Sequence, residues 1–223
     1  VRYCLQPGET TLFGAERGCD AFEQRLLRFS EPGDQRVNPD DDEVLYVLGG
    51  GGGATVGTTR AELAPGTAAF VPRGTPWQVE DGDGLEILSV LVRRPLPAHD
   101  HAVLEIGASE ADTATAGRMF RLLANPDVGC ASVTQFVGYI PVGRAPDHFH
   151  TYDEVVYVLE GQGALHIDGE TAPLVPGSAV HLPARLVHCL ENSGPGEMQV
   201  LGVFRPAGSP AEAYYPDGTR AQY

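Results

Sequence analysis

The sequence predicts an all-β chain made of two copies of one domain, each a sandwich or jelly-roll barrel, joined by a linker with a short helix. Three observations carry this. Glycine (28) and proline (18) are both frequent, the extended runs are short and bounded by them, and the second half of the chain repeats the first. The repeat has one fixed offset: Glu43 maps to Glu154, 111 residues on, and the same step carries Tyr46 to Tyr157, Leu48 to Leu159, Gly50 to Gly161, Pro72 to Pro183, Arg94-Pro95 to Arg205-Pro206 and Gln24 to Gln135. A constant offset implies equal strand and turn lengths, hence one fold twice.

Taken in order, Val1 to Asp20 suits an edge strand and a loop. The first copy then offers Glu43–Leu48, Ala68–Val71 and Leu85–Val92 as extended runs, and the second offers Ser132–Ile140, Val155–Leu159 and Met198–Phe204. The expected domains are 1–98, a linker 99–130 and 131–223. In the linker, Ala111 to Leu123 is the best candidate for a helix, ended by a turn at Asn125-Pro126-Asp127. Ala207 to Tyr223 has turn chemistry and is expected to run over the surface.

The formal charge is −15 with no Lys/Arg cluster, so the footprint of a nucleic-acid binder or of an anionic-membrane binder is missing. No apolar run reaches transmembrane length and no signal-like start is seen, so a cytoplasmic protein is expected. Cys4, Cys19, Cys130 and Cys189 form no Cys-x-x-Cys pair and read as reduced thiols. Cys189 follows His188, but neighbours on a strand face opposite sides.

The chemistry gathers in His148-x-His150-x3-Glu154, directly before an apolar Val/Tyr/Leu run. On an extended segment these three share one face, and His188 is the candidate fourth group. Three neutral imidazoles and a carboxylate suit Fe(II), Mn(II), Ni(II), Zn(II) or Cu(II), and four protein ligands leave positions open for water and substrate. Together with Gly177-x5-Pro183-x-Arg185-x2-His188-x3-Asn192, the segment resembles the two signature motifs of the cupin superfamily. That resemblance implies small jelly-roll barrels and one divalent metal held by His148, His150, Glu154 and His188. Gly143 lies five rather than six residues before His148, and Arg185 replaces the usual glycine; an arginine there is either a solvated loop residue or one that greets an anionic substrate.

At the same offset the first copy has Val37, Pro39 and Trp77 in place of the three histidines, leaving Glu43 alone, so that domain is expected to be metal-free with Trp77 filling the space. His99-Asp100-His101 to Glu105 repeats the ligand spacing without a following strand. Asp40 to Glu43 reads as a charged loop and Gly49 to Gly53 as a hairpin turn. His166 and His181 are weaker candidates near the pocket.

The resemblance implies a bicupin acting on a small-molecule substrate. A dioxygenase-type oxidoreductase is expected first, because the three-His, one-Glu set resembles that of quercetin-type dioxygenases, with Glu154 also able to act as acid or base. A non-oxidative isomerase, lyase or hydrolase, and a non-catalytic ligand-binding or storage protein, are the alternatives. A homodimer is possible.

Overall fold

The structure is a computed structural model and describes residues 8–97, 100–105 and 110–221. The chain divides into two compact units. One takes the described residues up to 105 with 123–133, and the other takes 110–122 with 134–221. Both are built from strands, and no helix among the described residues is long and apolar enough to cross a membrane.

The first unit contains β1 (Glu9–Phe13), β2 (Phe22–Phe29), β3 (Arg36–Val37), β4 (Asp42–Val56), β5 (Thr59–Leu63), β6 (Thr67–Val71), β7 (Pro76–Val79), β8 (Asp83–Val92) and β9 (Ala102–Glu105). Its sheet runs β1-β2-β8-β4-β6-β9, and β4 continues past that sheet to pair with β5 and β7. Inward residues alternate along β4, as a pleated strand requires. Leu45 and Val47 point into the core and so do Ala54 and Val56, a change of parity between the two halves of the strand.

Glycines make that change. The ladder with β8 shifts between Val47 and Gly49 and again between Gly49 and Gly51. Gly50 takes φ 73°, and a Cβ there would lie 2.2 Å from the Gly84 carbonyl oxygen. The glycine run is therefore a bulged corner inside one strand rather than the expected hairpin turn. The acidic run before it is not simply a charged loop: Asp42 and Glu43 open β4 and are both buried.

The second unit contains β10 (Asp112–Thr113), β11 (Met119–Leu122), β12 (Thr134–Ile140), β13 (Gly143–Arg144), β14 (Asp153–Glu160), β15 (Gly163–Ile167), β16 (Glu170–Leu174), β17 (Ala179–Leu182), β18 (His188–Asn192) and β19 (Met198–Arg205). They form two sheets, β10-β11-β12-β19-β14-β17 and β13-β18-β15-β16. Ile140, Val156, Val158, Leu165, Leu182, Leu190 and Val200 fill the space between them.

The helix expected over Ala111 to Leu123 does not form. Its residues make β10, a turn with positive φ at Ala116 (58°) and Gly117 (71°), and β11, which pairs with the edge of β12. Two threonines and a glycine weaken the helix, and Phe120 gains burial against Phe136 only from an extended chain. The segment 99–130 thus carries β9, β10 and β11, and Asn125 caps a short turn by accepting from the Asp127 and Val128 amides. The C-terminal segment also departs from expectation: Ala211, Ala213 and Ala221 are buried, and Phe149 and Tyr214 exchange backbone hydrogen bonds and stack.

The ladders of the two units correspond with small slips. Val56 pairs with Trp77 as Ile167 pairs with His188, which keeps the offset of 111. Gln24 pairs with Val90 but Gln135 with Val203, so the last strand is offset by 113. Arg36 lies opposite Trp77 whereas His148 lies opposite His188, an offset of 112. The extra residues sit in loops, where length changes are tolerated. Replacing Gly50 with alanine is expected to lower stability by roughly 1–3 kcal/mol, measured by thermal or denaturant unfolding.

Candidate metal centre

His148, His150 and His188 come together as the sequence predicts. Their ligand atoms all lie within 4.8 Å of one another. The backbone sets this up: His148 and His188 exchange both backbone hydrogen bonds, at 3.0 and 2.8 Å, so their side chains leave the same face of a narrow antiparallel bridge. His150, two residues on, emerges on that face as well.

Each ring is fixed by a carbonyl at its Nδ1. His148 pairs with the Pro146 oxygen at 2.9 Å, His150 with Glu212 at 2.7 Å and His188 with Leu186 at 2.9 Å. A carbonyl only accepts, so Nδ1 carries the proton on all three rings and Nε2 keeps its lone pair. Burial holds the imidazoles neutral: His150 is pushed down to about 3, with His148 and His188 adding to the effect, His188 to about 4, and His148 also downward. Tyr152 stacks on His150 at 4.7 Å and on Phe204 at 4.0 Å, which locks the ring plane.

Glu154 stands on β14 and lines the same cavity, but its carboxylate lies outside the three-nitrogen group. Among the described residues nothing donates a hydrogen bond to it. Burial pushes the carboxyl up to about 8, with the Arg118 charge opposing. Its neighbours explain the isolation. Gly202 faces Val156 across the ladder, and a Cβ there would meet the Phe136 ring at 2.3 Å and Glu154 Oε1 at 2.9 Å.

The first unit shows the alternative. Glu43 occupies the equivalent place and accepts hydrogen bonds from Trp77 Nε1 (2.9 Å), Asn38 Nδ2 (2.8 Å), Arg25 Nη2 (3.3 Å) and Ser89 Oγ. By ladder position, Ser89 stands where the second unit has Gly202, and Arg25 where it has Phe136. The register also corrects the expected equivalences: Arg36 and Asn38, rather than Val37 and Pro39, stand in for His148 and His150. Val37 is 48% exposed, and Arg36 lies over the Trp77 ring at 5.6 Å. Trp77 is buried, as expected.

The donor set fits a divalent transition ion. Three neutral nitrogens converge and one buried carboxylate is left without hydrogen-bond donors, a costly arrangement unless a cation or proton completes it. Sequence reasoning missed two groups that support this set, Tyr152 and the Glu212 carbonyl, and a third that lines the same cavity, Arg118. Arg185 is exposed and contributes its backbone amide to the His150 carbonyl at 2.7 Å. Cys189 faces away from the site, its thiol donating to the Ala145 carbonyl. His166 pairs with Glu191 at 2.7 Å and His181 approaches Asp153 at 3.8 Å, both off the cavity wall. His101 is held by Thr59 and Asp100, while His99 and Cys4 lie outside the described residues.

Residues 135–204 match the cupin domain family. Over 108 residues the chain is 31% identical to the polyketide synthase CurC of Streptomyces cyaneus, covering 47% of this chain and 69% of that protein. The chain belongs to the cupin superfamily. A further relative, quercetin 2,3-dioxygenase of Bacillus subtilis, is 46% identical over 46 residues, 20% of this chain and 14% of that protein. A solved variant of oxalate decarboxylase from Bacillus subtilis superposes with a TM-score of 0.73 at 13% identity, covering 91% of this chain and 74% of that one, a likeness of fold.

Two outcomes are expected of this cupin centre. Between pH 4.5 and 8 the folded apo-protein keeps a proton on Glu154 that the unfolded chain releases, so this carboxyl lowers stability as pH rises through that window. Glu154→Gln removes the effect. The apo-variant should gain on the order of 3 kcal/mol over the apo-wild type between pH 5 and 7.5, read as the difference in unfolding free energy, since the histidine contributions are common to both. Truncation before Ser209 removes the carbonyl partner of His150 and should weaken metal affinity about 10–100-fold in a competition titration.

Proposed function

We propose that this chain is a metal-dependent bicupin enzyme acting on a small organic molecule, with its chemistry confined to the unit that carries His148, His150, Glu154 and His188. The observation that carries the reading is the shared tautomer of three buried, neutral imidazoles, each pinned through Nδ1 with a lone pair left on Nε2. A divalent transition ion bound there would supply Lewis acidity and, where redox-active, a route for electrons to O2.

The chain's own residues define what can react. Phe120, Phe136, Ile140, Val156, Leu182 and Val200 make an apolar wall that lowers the local dielectric and strengthens electrostatic interactions beside it. The cavity measures about 70 Å³, which suits a substrate or reacting group of few atoms. We favour a dioxygenase-type oxidoreductase, in keeping with the three-His, one-Glu donor set and the local likeness to quercetin 2,3-dioxygenase. A second reading, a non-oxidative isomerase, lyase or hydrolase, is supported by the place of Glu154 outside the three-nitrogen group, where its carboxyl is free to take or give a proton.

Elemental analysis of protein purified without added metal, then loaded with Fe(II) or Mn(II), is expected to find about one ion per chain, lost in a folded His148→Ala, His150→Ala double variant. Loaded wild type should consume O2 with a phenolic or diketone substrate in an oxygen electrode. Substrate turnover without O2 uptake would replace the oxidative reading with the second one. Failure to retain any ion would remove both.

A further inference from the structure

Arg118 is a charge that the metal reading does not use. It follows the positive-φ turn at Ala116 and Gly117, and the Ala114 amide donates to its carbonyl at 2.8 Å, so a short, constrained hairpin delivers the side chain. The side chain lines the same cavity as His148, His150, Glu154 and His188. Among the described residues, one of the five N–H groups of this guanidinium is engaged: Nη2 donates to the Leu190 carbonyl at 2.6 Å. Among the described residues no carboxylate stands within ion-pair distance of it.

Arg25, which also reaches the interior, is matched differently: it meets both Glu9, at 2.7 Å, and the buried Glu43, at 3.3 Å. Arg118 has only the more distant carboxyl of Glu154 among the acids that line the cavity. An unmatched, partly buried guanidinium is costly unless an anion completes it, and its planar fork suits a carboxylate. In a chain of net charge −15, a cationic group lining a largely apolar cavity offers an anion a local positive charge. The cavity's remaining wall is apolar and its volume small, so the anion is short.

We propose that Arg118 recognises the substrate and that the substrate is a short organic carboxylate. This deepens the reading above and rests on it: the carboxylate is held by Arg118 while the reacting carbon lies toward the three imidazoles. Arg185, the arginine that the sequence places near the pocket mouth, has no part in it.

The test uses the Mn(II)-loaded full chain, titrated calorimetrically with pyruvate, with pyruvamide as its uncharged isostere, and with acetylacetone as a neutral diketone. Wild type should bind pyruvate at least about tenfold more tightly than pyruvamide. Arg118→Gln should lose about tenfold or more for pyruvate and change little for acetylacetone, and Arg118→Lys should recover part of the loss. Equal binding of pyruvate and pyruvamide by wild type, or equal weakening of all three probes in Arg118→Gln, overturns the proposal. If Arg118→Gln does not fold, as judged by circular dichroism, the wild-type ratio and Arg118→Lys decide. Metal content is measured on the same samples, so a wild type that retains no ion counts against the metal reading, while the pyruvate to pyruvamide ratio still judges Arg118.

Discussion

The structure depends on three hydrogen bonds, those from the Nδ1 atoms of His148, His150 and His188 to backbone carbonyls. A neutral imidazole presents its lone pair from either nitrogen, and without these partners three rings brought within 4.8 Å would sample several mutual orientations. Two of the carbonyls, Pro146 and Leu186, lie two residues before the ring they hold, so the loops shape themselves around the site. The third belongs to Glu212. The rest of the second unit serves to keep those carbonyls still: the narrow bridge between His148 and His188, the aromatic stack of His150, Tyr152 and Phe204, and the paired strands beneath.

The two units show what the same ladder does with and without a set of histidines. A buried carboxylate at the start of the long strand needs compensation. Around Glu43 it comes from Trp77, Asn38, Arg25 and Ser89, and around Glu154 those donors are replaced by His188, His150, Phe136 and Gly202. The substitutions are coupled, because a donor left beside Glu154 would satisfy the carboxylate and a missing donor beside Glu43 would strand it. Gly202 illustrates how narrow the margin is: any side chain there would compete for the space that Phe136 and the Glu154 carboxylate now share.

Much of this was legible in the sequence, for physical reasons. Strand alternation, turn residues and the repeat depend on local chemistry, so the all-β architecture and the convergence of His148, His150 and His188 could be read directly. Other features were set by tertiary partners. Ala111 to Leu123 looked helical by composition, yet the free edge of β12 and the pocket for Phe120 favoured strands. The offset of 111 held through most of the repeat, but a one-residue slip around β3 moved the equivalents of the first two histidines to Arg36 and Asn38, and a separate two-residue slip displaced the last strand. No spacing rule pointed to Arg118 or Glu212, because each acts through contacts made 72 and 62 residues away along the chain, with Leu190 and His150 respectively.

The reach of Glu212 has a consequence for how the centre comes into being. His150 precedes its anchor by 62 residues, so the histidine motif and the strand behind it can pair before the ring is held. Only when the segment around Ala211 and Ala213 packs down is the last ring fixed, which makes the downstream segment the piece that completes the cluster.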